Sequence, residues 1–129
     1  MIVAYSKRVA KRILVVDDDR TARSALSVAL REEGYEVAVA GDGEEARDLA
    51  DRLSFDLVVT DLAMPRLDGL GLIGHLKRAF PELPVMVVTA TTTAAAAQQA
   101  KLLGAAGFVN KPVELDEFLE GVAGLLAAG

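Results

Sequence analysis

Short apolar runs, each the length of a strand, alternate with segments of helical period along the whole of this chain. The runs are RILVV (12–16), YEVAVA (35–40), DLVVT (56–60), PVMVVTA (84–90) and a weaker AGFVN (106–110). Their brevity and their valine content mark them as strands. Between them, apolar residues recur on one helical face. Ala22, Ala25, Leu26, Ala29 and Leu30 do so over 20–33, with Gly34 placed to end that helix. Ala46, Leu49, Ala50 and Leu53 do so over 43–53, behind an acidic first turn, Glu44-Glu45, that suits the helix dipole. Leu70, Ile73, Leu76 and Lys77 lead to Phe80, where Pro81 and Pro84 break the pattern. An Ala-rich helix over 92–103 closes at Gly104, and a last one from about Glu114 carries Leu115, Phe118, Leu119, Val122, Leu125 and Leu126.

Connections of helical length force neighbouring strands to run parallel, and near-continuous Val/Leu runs suit strands covered on both faces. The expectation is therefore an α/β domain with a doubly wound five-stranded parallel sheet in the order 2-1-3-4-5. At 129 residues this is one domain, assigned to 12–127 after an N-terminal extension over 1–11, with no output domain expected in the chain. The basic residues of that extension, Lys7, Arg8, Lys11 and Arg12, read as a solvated terminus. A net charge of -5 argues against direct binding to nucleic acid, whose phosphates demand a basic surface. With no cysteine, disulfides and thiolate metal sites are excluded. The start lacks the charge-then-apolar order of a signal peptide, and no run approaches a membrane span, so a soluble, cytoplasmic protein is expected.

In a sheet of this kind ligands sit beyond the carboxyl ends of the strands. Strand one ends on Asp17-Asp18-Asp19, strand three on Asp61, strand four on Thr89 and strand five on Lys111-Pro112, whereas strand two ends on Ala40-Gly41 and offers no such group. The order 2-1-3-4-5 makes the four contributing strands neighbours. Two carboxylates 4 Å apart repel by roughly 4 kcal/mol at an effective dielectric near 20, so a proton or a cation must neutralise them. With oxygen donors alone, a hard ion such as Mg²⁺ is the natural choice. A metal, an ammonium and a hydroxyl around one carboxylate make a place for a phosphoryl group, with the carboxylate as nucleophile.

The stretches ILVVDDD, DLVVTDLAMPRLDGL, VVTA and GFVNKP, in this order and spacing, resemble the receiver domain of two-component response regulators, and the resemblance runs from about Arg12 to Leu126. It implies a flavodoxin-like (βα)5 fold and a signalling domain rather than an enzyme, one that catalyses only its own phosphorylation and dephosphorylation. It implies Asp61 as phosphoacceptor, loaded from a sensor histidine kinase or a phosphotransfer protein. Asp18 would ligate Mg²⁺ directly, Asp17 mostly through water, and Ala63 through its backbone carbonyl. Thr89 would move to bond the phosphoryl group and Lys111 would pair with it. Phe108 occupies the aromatic switch position, and Pro112 the cis-proline position after the lysine. The downstream partner would meet the face of the fourth helix, fifth strand and fifth helix, in a monomer or a phosphorylation-dependent dimer. Small Ala63 and Thr91 would leave the phosphoryl group poorly shielded from water. Leu67 and Val113 depart from the residues common in the family, and Phe108 lacks a tyrosine hydroxyl.

Several residues have plainer readings. His75, the sole histidine, is expected to be structural, Asp19 to cap the first helix, and Gly69 to serve the turn into the third. The alanine run 94–97 reflects helix propensity, although four consecutive alanines face all sides. One rival reading comes from VVDDDRT, which is similar to the nucleophile loop of haloacid-dehalogenase-type phosphatases, with Asp17 and Asp19 in the key roles. The later acidic motif of such enzymes is missing after Lys111, where only PVELDEFLEG follows.

Overall fold

The structure, a computed structural model, describes residues 10–64, 66–90 and 94–128. Among them, β1 (Arg12–Val16), α1 (Arg20–Glu32), β2 (Glu36–Ala40), α2 (Gly43–Arg52), β3 (Leu57–Thr60), α3 (Gly69–Ala79), β4 (Val85–Thr89), α4 (Ala94–Leu103), β5 (Gly107–Asn110) and α5 (Leu115–Ala128) alternate without exception. The sheet is parallel throughout and runs β2-β1-β3-β4-β5. The order is the expected one, and each helix returns the chain to the end of the sheet at which the strands start, which keeps every pairing parallel.

The sheet separates two apolar layers. Leu14, Val16, Val58, Val85 and Val87 face Ala46 and Ala50 of α2, Leu72, Ile73 and Leu76 of α3, and Ala100 of α4. Ile13, Val15, Leu57, Val59, Met86 and Val88 face Leu26 and Leu30 of α1 and Phe118 and Val122 of α5. The alternation along β1, β3 and β4 thus sends successive side chains into opposite layers, and each fully buried aliphatic side chain contributes about 1.5–3 kcal/mol. β2 and β5 are edges and only partly covered.

The helical faces differ from expectation in detail. In α1 Ala25 is exposed and Ser27 is buried, its hydroxyl donating to the Arg23 carbonyl at 2.8 Å. This side chain-to-backbone bond satisfies the hydroxyl, so polarity alone misplaced the stripe. Leu53 lies just beyond α2, 41% exposed, and Leu115 is 46% exposed at the start of α5. Gly34 and Gly104 end α1 and α4 with φ of 95° and 111°, a backbone region that favours glycine. The alanines at 94, 95 and 97 are exposed while Ala100 is buried. Thr91, the first residues of the expected 92–103 helix, and Lys7 and Arg8 lie outside the described residues.

Candidate functional site

The parallel register carries four polar residues to one end of the sheet. Val16 pairs with Thr60, and Thr89 with Asn110. One residue further on, Asp17 N donates to the Ala40 carbonyl at 3.1 Å, Asp61 N to the Val16 carbonyl at 3.0 Å, and Lys111 N to the Thr89 carbonyl at 3.0 Å. The ladder therefore holds Asp17 and Asp61 side by side just as their strands leave the core. Both are buried.

Asp61 is held from several directions. Its Oδ1 accepts from Leu62 N at 2.6 Å, Ala63 N at 3.3 Å and the Thr89 hydroxyl at 2.8 Å. Its Oδ2 accepts from Lys111 Nζ at 2.9 Å, and the same ammonium reaches Asp17 Oδ2 at 2.7 Å. Asp17 Oδ1 accepts from Asp19 N at 2.9 Å. Burial pushes the Asp61 carboxyl up, but the bonds from Lys111, Thr89 and the Ala63 N–H, with the lysine's charge, outweigh it and hold the carboxyl below 3.8. Burial likewise pushes Lys111 down, and its bonds to Asp17 and Asp61 with their charges more than offset this, raising the ammonium above 10.5. At neutral pH Asp61 is therefore a carboxylate and Lys111 an ammonium.

That arrangement leaves an excess of negative charge. Asp17, exposed Asp18 and Asp61 each offer one carboxylate oxygen, and these lie within 4.8 Å of one another. Two ligands of one Mg²⁺ are at most about 4.2 Å apart, given Mg–O distances of 2.0–2.1 Å. The oxygens thus fit a small hard cation after slight closure, or with one carboxylate acting through a bound water. The residues present fit Mg²⁺.

The other expected positions fall as follows. Thr89 directs its hydroxyl at Asp61 Oδ1. Phe108 is 39% exposed on β5, with Lys101 Nζ 5.9 Å from its ring centroid. Thr89 and Phe108 line the same cavity of about 400 Å³, together with Leu62, Val87, Ala97 and Lys101. The Lys111–Pro112 peptide bond is cis. Asp19 caps α1, accepting from Thr21 N at 3.0 Å and Ala22 N at 3.5 Å, and is not part of the acidic cluster. His75 lies on α3 with Nε2 3.6 Å from Asp51 Oδ1, away from the site. A Cβ at Gly69 would sit 2.3 Å from the Asp61 carbonyl oxygen, so glycine lets α3 begin directly against the acceptor strand.

Two residues at the rim were not anticipated. Strand two was expected to bring no polar group, yet Asp42, two residues past it, is buried and bound by Arg66 of the β3–α3 loop. The Asp42 carboxyl is held below 3.8, chiefly by the Glu45 N–H, with Arg66 adding to this against burial. The Asp42-Gly43-Glu44-Glu45 run reads as a helix start, which it is, and nothing in that local pattern marks the second partner.

The family model for the response regulator receiver domain matches residues 13–123. The chain belongs to the response regulator receiver family. Its relatives include response regulator MprA of Mycobacterium sp. (strain KMS), 42% identical over 115 residues that make up 89% of this chain and 50% of the relative. Response regulator protein FleR of Pseudomonas aeruginosa is 38% identical over 114 residues, 88% of this chain and 24% of that protein. The receiver domain thus spans about half the length of the MprA relatives. Among solved structures, a CheY-like receiver domain protein from Methanospirillum hungatei matches with a TM-score of 0.90 at 28% identity, covering 92% of this chain and 95% of that one. TrrA of Thermotoga maritima, solved in complex with Mg(2+)-BeF, matches with a TM-score of 0.82 at 35% identity, covering 89% and 98%. The phosphatase alternative has no support: the family is the receiver family, and the carboxylate of Asp19 is engaged in capping a helix. Among the described residues no helix is long and apolar enough to cross a membrane.

Proposed function

We propose that this receiver domain accepts a phosphoryl group on Asp61 from the phosphohistidine of a sensor histidine kinase or phosphotransfer protein, and signals through the face made by α4, β5 and α5. The observation that carries this is the setting of Asp61: a buried carboxylate kept ionised by Lys111 and Thr89, beside a second acidic strand end. An ionised carboxylate is a nucleophile where a protonated one is not. One Asp61 oxygen attacks phosphorus, a P–O bond forms as the P–N bond breaks, and the donor imidazole leaves with the bonding pair. Asp17, Asp18 and Asp61, with the Ala63 carbonyl, would hold Mg²⁺, which when bound neutralises charge on the phosphoryl oxygens.

The remaining steps belong to the protein's own groups. The N–H groups of Leu62 and Ala63, already aimed at the acceptor carboxylate, point where new phosphoryl oxygens arrive. Lys111 exchanges one carboxylate partner for a phosphoryl oxygen, and the Thr89 hydroxyl turns its bond from Asp61 to the same group. The cavity shared by Thr89 and Phe108 has room for the ring to swing inward as the threonine is drawn to the phosphoryl group. Phe108 would then leave the surface near Lys101, reshaping the face a downstream partner reads.

The test uses a small phosphodonor with Mg²⁺ and intact-protein mass. The wild type should gain a single phosphoryl adduct, and Asp61→Asn should gain none while keeping its fold, because the change is nearly isosteric and keeps an oxygen that can accept from Leu62 N and Thr89. Wild-type labelling of Asp61→Asn would reject the assignment.

A further inference from the structure

We propose that Arg66 is a positioning residue for the cation site, clamping the β3–α3 loop to the start of α2 so that the Ala63 carbonyl and Asp61 stay set against Asp17 and Asp18. The proposal rests on the Mg²⁺-dependent phosphoacceptor reading above. β2 and β3 flank β1, so a tie between the loops after β2 and β3 links the two sides of the strand that ends in Asp17 and Asp18.

Arg66 makes that tie. Its Nη2 donates to Asp42 Oδ2, and its Nε lies 3.6 Å from Glu44 Oε2. Asp42 is a buried anchor, and its Oδ1 meanwhile accepts from Glu45 N at 2.9 Å, fastening the carboxylate to the helix start. The guanidinium is largely exposed, but the carboxylate it meets is buried and already fixed, unlike either partner of an ordinary surface ion pair, which contributes little. A planar guanidinium can serve two carboxylates at once, which a lysine ammonium does less well.

The backbone bears the same mark. Arg66 has φ of 65°, a left-handed conformation that a non-glycine residue keeps only where its surroundings hold it there. The next residue is packed to backbone contact: a Cβ on Gly43 would lie 2.0 Å from the Leu67 carbonyl oxygen. Beyond it, Asp68 caps α3 by accepting from Gly71 N at 2.8 Å, and Gly69 N donates to the Leu62 carbonyl at 2.9 Å. The loop leaving Asp61 is thus closed on itself at its far end and held to α2 in its middle. The guanidinium is the one side-chain link between that middle and Asp42 among the described contacts.

Three variants separate the clamp from its surroundings. Arg66→Gly keeps the left-handed backbone and removes the guanidinium. Asp42→Asn removes the charge but keeps an N-cap acceptor of equal quality. Arg66→Lys restores a charge without the fork. Amide NMR titration with Mg²⁺ should show affinity falling about 10-fold in Arg66→Gly and in Asp42→Asn, the range for partners that orient metal ligands, with Arg66→Lys in between. The double variant should bind no more weakly than either single one, since both break one contact. Without Mg²⁺, the amides of Ala63, Met64 and Leu67 should exchange faster in both, while β3 amides keep their protection.

Wild-type Mg²⁺ affinity in Arg66→Gly and Asp42→Asn overturns the clamp. So does an affinity loss that comes with lost protection in β3, since Arg66 would then serve global stability. A wild-type protein that shows no Mg²⁺ response overturns the phosphoacceptor reading itself, which keeps the two failures distinct.

Discussion

The Thr89 hydroxyl donates to Asp61 Oδ1 at 2.8 Å, while Phe108, on the neighbouring strand and lining the same cavity, stays 39% exposed. The hydroxyl of the proposed switch thus faces the acceptor, and the ring of the same switch faces solvent. If phosphorylation couples the two as proposed, it must favour the inward position of the ring over this one.

Thr89→Ala should therefore accept phosphate but fail to transmit it. A beryllofluoride adduct of the wild type should shift amide signals at Phe108 and along α4 as well as near Asp61. In Thr89→Ala the distant shifts should vanish while the local ones remain, and unfolding free energy should drop by about 1–3 kcal/mol for the lost partner of a buried carboxylate. Distant shifts of full size in the variant would show that signalling bypasses this hydroxyl.

Lys111 is the counter-charge for both Asp17 and Asp61. Lys111→Met should destabilise the metal-free protein by about 3 kcal/mol, at the low end for breaking a buried pair because the lysine keeps some contact with water. Mg²⁺ should then recover more stability in the variant than in the wild type, as it becomes the main neutralising cation. Thermal melts with and without Mg²⁺ measure both effects. Equal Mg²⁺ increments in the two proteins would mean that lysine and metal do not answer the same charge.

Asp18 and Asp19 should part company. Asp18→Ala should erase the Mg²⁺-dependent rise in melting temperature, which follows mass action at the cluster. Asp19→Ala should keep that rise and lose about 1 kcal/mol from the α1 cap. Matching losses of Mg²⁺ response would place Asp19 at the metal after all.

Stability should fall at acid pH through identifiable groups. Asp61 and Asp42 both titrate below 3.8 in the folded protein. A carboxyl depressed by folding adds stability that is present above its unfolded pKa and lost as pH falls through its folded one. The loss should therefore begin near pH 3.8 and deepen below it, and urea titrations of Asp61→Asn and Asp42→Asn should have shallower acid limbs than the wild type. Lys111, raised above 10.5, acts in the opposite sense: its contribution is intact below 10.5 and lost at higher pH. An unchanged acid limb in both variants would remove these carboxyls from the account.

The alternation of apolar periods determined the fold class by itself, the strand order being taken from the doubly wound pattern. Runs such as LVV at 57–59 bury every side chain, so they can only be central strands, and helix-length connections leave parallel pairing as the sole solution. Asp17, Asp61 and Thr89 were visible for the same reason, since each follows or closes such a run, and Lys111 because it follows the fifth strand in a sheet that aligns strand ends. Caps too are local: Asp19 reaches only two and three residues along the chain. What tertiary structure alone decided lies between elements. Arg66 and Asp42 meet across 24 positions, Leu67 needs the bare backbone of Gly43, and Thr89 already turns to Asp61 while Phe108 faces outward. None of these follows from periodicity, because each depends on where two separately determined elements come to rest, to within the length of one hydrogen bond.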